Sequence, residues 1–178
     1  MDKSEHLRYP IGKFEIPKNV SKENIDHFIE VISEFPERVQ STIEDLEEKQ
    51  LLTPYRENGW SGIQVIHHCA DSHMNAYIRF KLGLTEDNPE IRPYLESKWA
   101  ELSDAKSLNF EPTLSILIGL HSRWSEMLTR MTLDDFQRTV IHPEHGEQLT
   151  LAQLLAMYAW HCEHHLGHLR IIQSIYGE

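Results

Sequence analysis

Six positions near the end of the chain, Leu154, Tyr158, His161, His165, His168 and Ile172, are separated alternately by four and three residues. That alternation is the seam of a helix packed inside a bundle, and it puts imidazoles where leucine would be expected. The helix opens on a capping box, Thr150 with Gln153, and runs to about Ile175. A chain with such a helix needs other helices to bury it, and the sequence supplies three. One starts after Ser21 as N-cap, with Ile25, Phe28, Ile29 and Ile32 at helical spacing. Pro36 is expected to kink or restart it, after which Val39, Ile43 and Leu46 continue the pattern. A second runs from about Gly62 to Leu82, opened by the capping box of Ser61 and Gln64. In the third, Pro112 suits the first turn, and Leu114, Leu117, Ile118, His121, Trp124, Leu128 and Met131 form an apolar face.

The connecting segments fit the same plan. Residues 1–20, with Pro10, Gly12 and Pro17, read as an extended N-terminal arm. Residues 84–99 read as a loop with one short helix, and "VIHPEHGEQLT" as a turn or small hairpin. The expectation is an all-α four-helix bundle, formed by residues 1–178 as a single domain.

Composition narrows the function. With 17 basic against 28 acidic residues the net charge is −11. No basic cluster offers a face to nucleic acid or to anionic lipid. No apolar run reaches the ~18 residues of a membrane span. The N-terminus lacks an apolar signal segment, and two cysteines, Cys69 and Cys162, make no disulfide framework. These features point to the cytoplasm, with both thiols buried and free.

The histidines carry the chemistry. Four of the chain's 12 fall between His161 and His168. Burying imidazoles without partners is costly, and a cation that accepts their lone pairs resolves the cost. His161 and His165, four apart on one helix face, can reach one metal at about 2.0–2.1 Å. A third ligand could be His168 or come from the helix holding His67, His68 and His73, in which Val65, His68, Ser72, Asn75 and Arg79 share a polar stripe. His67 points about 100° away from that stripe. The alternatives are core histidines satisfied by hydrogen bonds, and a solvated histidine-rich surface.

Three neutral nitrogen ligands suit Zn²⁺ better than Ni²⁺, Co²⁺ or Fe²⁺ in availability. They leave a coordination position open, as catalytic sites do. The zincin motif H-E-x-x-H is absent, since Glu163 in "HCEHH" turns away from the ion. No histidine has glutamate three residues before it, which excludes the di-iron carboxylate pattern.

The stretches "RYPIGKF", "TPYRENGWSGIQVIHHCADSHMNAYIRFKL", "IRPY" with "WAEL", "LHSRW" and "WHCEHH" resemble the DinB/YfiT-like superfamily, and within it the YfiT branch of metal-dependent hydrolases. The resemblance spans nearly the whole chain. It implies a four-helix bundle, a homodimer, and one divalent ion per subunit, zinc or nickel, held by His68, His161 and His165. Related branches are thiol S-transferases that use bacillithiol or mycothiol, so a low-molecular-weight thiol and a small-molecule substrate are the implied partners. Cys162 and Glu163 depart from the small polar residues or histidine of those relatives.

The expected function is therefore a metal-dependent hydrolase or thiol S-transferase in which the metal activates water or a thiolate; the alternative is a non-catalytic metal- or thiol-binding module. Asp71, three after His68, and His73 are candidates for orienting a ligand or moving a proton. Arg79 is a candidate for pairing with a carboxylate of the thiol. His168 could serve as an outer hydrogen-bond partner.

Overall fold

Four amphipathic patterns become four long helices in a computed structural model that describes residues 3–143 and 147–176. They are α2 (Lys22–Ile43), α4 (Gly62–Thr85), α6 (Glu111–Arg130) and α8 (Leu151–Tyr176). Short helices α1 (Lys3–Arg8), α3 (Glu48–Leu51), α5 (Glu96–Trp99) and α7 (Leu133–Gln137) fall between or before them. The Ser21 and Ser61 hydroxyls accept from the backbone N–H of Asn24 and Gln64. Thr150 and Gln153 cap each other's backbone in the same way, at 2.9 and 3.1 Å. Each cap satisfies N–H groups that the first helical turn leaves open.

The bundle is cyclic. α2 packs on α6 and α8, and α4 packs on the same two helices. Ile32, Phe35, Leu117, Trp124, Leu154 and Leu166 fill the shared core, each fully buried. The expected apolar face of α6 holds except at its edges. Ile118 is 47% exposed, because the buried row is Leu114, Leu117, His121, Trp124 and Leu128, and Ile118 sits one residue off it. Met131 caps the helix and is half-buried.

The helix does not restart at Pro36: α2 is a continuous 22-residue helix with Pro36 buried inside it. Proline there removes the N–H that would bond the carbonyl of Ile32, a loss that normally costs about 3 kcal/mol. The Ile32 carbonyl instead accepts from His121 Nδ1 of α6, at 2.6 Å. Partnering from across the bundle offsets part of that cost.

The segment 139–150 is a hairpin, β1 (Thr139–His142) against β2 (Glu147–Thr150), antiparallel with Thr139 opposite Thr150. Its turn at 144–146 lies outside the described residues. Ile141 also bonds Pro89 and Ile91 of the connection after α4, tying that loop to the bundle.

The N-terminal arm is extended only beyond Gly12, since α1 and a hydrogen-bonded turn from Tyr9 to Gly12 precede that stretch. The arm then runs along α8. Trp160 Nε1 donates to the Gly12 carbonyl at 3.2 Å, and Gln153 Nε2 to the Pro17 carbonyl at 3.0 Å. Gly167 permits the closest approach: a Cβ there would stand 2.7 Å from Pro10 Cγ.

Candidate metal centre

α4 and α8 face each other with His68 on one and His161 and His165 on the other. His68 Nε2 lies 3.2 Å from His161 Nε2. Ring centroids are 4.8 Å apart for His68 and His165, and 4.4 Å for His161 and His165. One nitrogen from each ring lies within 4.8 Å of the others. A tetrahedral ion bound at about 2.0–2.1 Å would set neighbouring ligand nitrogens about 3.3–3.4 Å apart, close to the His68–His161 separation.

These nitrogens have lone pairs to give. Burial, with a contribution from His168, pushes His68 down to about 4. Burial first, then neighbouring imidazoles, holds His161 and His165 well below the usual histidine range. All three are neutral at pH 7. The donor set fits a borderline divalent cation such as Zn²⁺ or Ni²⁺. His164, His165 and His168 also approach within 4.8 Å. In that group His168 is already engaged on both nitrogens, with His165 Nδ1 at 3.3 Å and the Arg8 carbonyl at 3.2 Å.

The three imidazoles form the floor of an open cleft of about 480 Å³. Trp60 lies 4.6 Å from the His68 ring, Tyr55 stacks on His168 at 3.8 Å, and Trp160 stacks on His164 at 4.4 Å. Arg8 and Arg56 line the cleft as well, their guanidinium carbons 5.3 and 5.5 Å from the ring centroids of Tyr9 and Tyr55. Glu96 completes the lining with a carboxylate. In a chain of net charge −11, two arginines beside the imidazole cluster make a local exception that favours anionic ligands.

The other expected site residues are placed as follows. His73 lies behind the centre, with Nε2 3.1 Å from His161 Nδ1 and Nδ1 2.8 Å from His121 Nε2. It contacts His161 from behind and does not line the cleft. Asp71 and Arg79 are not brought to the cleft either. Asp71 is half-buried, its carboxyl pushed up by burial and by Asp104. Arg79 donates to Tyr158 Oη at 2.7 Å and to the Arg92 carbonyl at 3.0 Å, so it braces α4 against α8 and the following loop.

His67 does point elsewhere, to the Thr113 hydroxyl at 2.7 Å and the Ser107 carbonyl at 2.9 Å. Asn75 leaves the polar stripe to bond the Asp71 carbonyl. Glu163 turns from the centre and forms a two-pronged pair with Arg38. Cys69 and Cys162 are free and buried, and burial pushes both thiols up.

Sequence reasoning missed Arg8, Tyr55 and Arg56 as cleft residues, and His121 as a partner of His73. The first three lie in "RYPIGKF" and "TPYRENGW", stretches already marked by the family resemblance. His121 lies on the apolar face of α6, where an imidazole among leucines is the signal that could have found it.

Comparison with known proteins shows the family and the fold. The DinB superfamily model matches residues 32–169. A Bacillus cereus (strain 03BB102) protein is 50% identical over 168 residues, 94% of this chain and 96% of its own length, and bears the provisional name of metal-dependent hydrolase. Bacillus subtilis (strain 168) YfiT, provisionally named in the same way, is 45% identical over 93% of both chains. The solved structure of YfiT superposes with a TM-score of 0.93 at 44% identity, covering 97% of this chain and 98% of that one. It is described as a probable metal-dependent hydrolase with an unusual four-helix bundle topology. With its fold and most of its length matched, the chain belongs to the DinB superfamily.

Proposed function

We propose that the protein is a metal-dependent enzyme whose His68, His161 and His165 hold one divalent ion, zinc or nickel, at the floor of the cleft. The observation that carries this reading is the convergence of three neutral imidazoles from two helices beneath an open, cation-rimmed pocket. When bound, the ion supplies Lewis acidity, which makes water or a thiol nucleophilic near neutral pH. Three protein ligands leave a position facing the cleft for that nucleophile.

The chain's own residues do the rest. Arg8 and Arg56 draw in and orient an anionic small molecule, and can pair with its carboxylates. Trp60, Tyr55 and Trp160 wall the pocket with aromatic surface that excludes water from one side of the centre. Hydrolysis is the activity in the relatives' names. Thiol S-transfer, with a carboxylate-bearing thiol such as bacillithiol, is favoured by the two arginines. The family resemblance adds a homodimer, and two free, buried thiols suit a reducing compartment such as the cytoplasm. Among the described residues no helix is long and apolar enough to cross a membrane.

Elemental analysis of the purified protein should find one zinc or nickel per chain, reduced at least tenfold in His68→Ala, His161→Ala and His165→Ala. After cobalt exchange, adding a low-molecular-weight thiol should produce a thiolate-to-metal absorption band if the reaction is S-transfer. No band, with metal-dependent cleavage of an ester or amide, would establish hydrolysis. Full turnover by metal-free protein would refute the proposal. Stoichiometric metal with no turnover over a broad panel would make the protein a binding module.

A further inference from the structure

We infer that two buried hydrogen-bond chains, each anchored on a backbone carbonyl that its own helix does not use, fix the tautomers of His161 and His165 so that both present a bare Nε2 to the ion. The inference rests on the proposed metal reading and adds to it the residues that set the ligands' protons.

The first chain starts at the Ile32 carbonyl, which Pro36 leaves without its helical N–H. A carbonyl only accepts, so the proton of the 2.6 Å contact belongs to His121 Nδ1. A neutral imidazole carries one proton, so His121 Nε2 is an acceptor. It receives from His73 Nδ1 across 2.8 Å. His73 Nε2 is then an acceptor in turn, and receives from His161 Nδ1 across 3.1 Å. Three rings, three protons and three links leave His161 Nε2 bare, and that nitrogen faces His68.

The second chain starts at the Arg8 carbonyl, at the C-terminal end of α1, where helical carbonyls lack partners. His168 Nε2 donates to it at 3.2 Å, leaving His168 Nδ1 to accept from His165 Nδ1 at 3.3 Å. Two links use two protons, and His165 Nε2 is bare as well. Neither chain can run backwards, because a carbonyl has no proton to give.

His73, His121 and His168 are thus positioning residues for the centre, and Pro36 creates one of the anchors.

Long-range ¹H–¹⁵N spectra of the metal-free wild type at pH 7.5 test this directly. The expected result is the Nδ1–H tautomer for His161 and His165, unchanged on zinc addition. His121→Phe should leave His161 in mixed tautomers and weaken zinc binding, measured by chelator competition, by about 10–100-fold. His121→Gln, whose amide both donates and accepts, should restore most of that loss. A wild type that binds zinc but carries the His161 or His165 proton on Nε2 would overturn the chains and leave the metal reading standing. So would a folded His121→Phe with wild-type affinity and tautomers. A wild type with the expected tautomers that takes up no zinc would overturn the metal reading instead.

Discussion

Acid should unfold the metal-free protein well before its carboxylates are titrated. Burial lowers His68, His121 and His168 from the ordinary 6.5 to about 4. In the unfolded chain these side chains return to 6.5, so below that pH the unfolded state binds more protons. Stability is therefore full above pH 6.5 and falls as pH drops toward 4. At pH 5.5 an unfolded histidine is about nine-tenths protonated while the folded one stays neutral, which costs about 1.4 kcal/mol per residue relative to pH 7.5. Three such residues give about 4 kcal/mol, a large share of the roughly 5–15 kcal/mol that holds a typical domain together. His73, His161 and His165, also held low by burial, add to the loss with the same sign. Asp71, whose carboxyl is pushed up, opposes it. Urea unfolding of chelator-treated protein at pH 7.5, 6.5 and 5.5 measures the effect. The slope should correspond to uptake of about three or more protons on unfolding near pH 5.5. An unfolding free energy that changes by less than about 1 kcal/mol over that range would refute the burial argument. Bound zinc should raise the whole curve without changing its slope over this range, because the folded ligands are already neutral and the metal adds a stabilisation that does not depend on pH there.

Three further outcomes follow from the packing. Gly167→Ala places a methyl 2.7 Å from the rigid ring of Pro10. Overpacking of about 1–3 kcal/mol should outweigh the helix-propensity gain of about 1 kcal/mol; limited proteolysis should show residues 9–20 released from α8, and an arm cut no faster than in wild type would contradict this. Cys69 and Cys162 should resist a thiol-reactive disulfide reagent at pH 8 until denaturant is added, since both are buried protonated thiols. Rapid titration of either in native protein would show the packing to be wrong. Glu163→Gln should cost about 0.5–1 kcal/mol, because its pair with Arg38 is about 30% exposed. Metal content should stay at wild-type level, and its loss would mean that Glu163 serves the centre after all.

How far these features could be read without coordinates depends on how local their causes are. Ser21 and Ser61 with Asn24 and Gln64 act within one turn, so the starts of α2 and α4 follow from neighbouring residues alone. The four–three spacing of α8 likewise announced its buried seam. Ile118 was misplaced because a helix face drifts 100° with one residue, and only packing against α2 and α4 selects which edge is covered. α1 was missed because six residues form a helix only with tertiary support, here from α8. The continuity of α2 through Pro36 was hidden for a similar reason: the partner that lets a proline stay inside α2 is His121, on another helix.

The sequence by itself determined that long amphipathic helices would pair and that imidazoles would lie in their seam, because spacing along a helix converts directly into a shared face. Tertiary structure alone decided which imidazoles meet, and that Arg79 became a brace while Arg8 and Arg56 reached the cleft. It also joined Ile32, His121, His73 and His161 into one chain. Those links connect residues up to 89 positions apart, and hydrogen bonds over such separations exist only after the helices have closed around a common core.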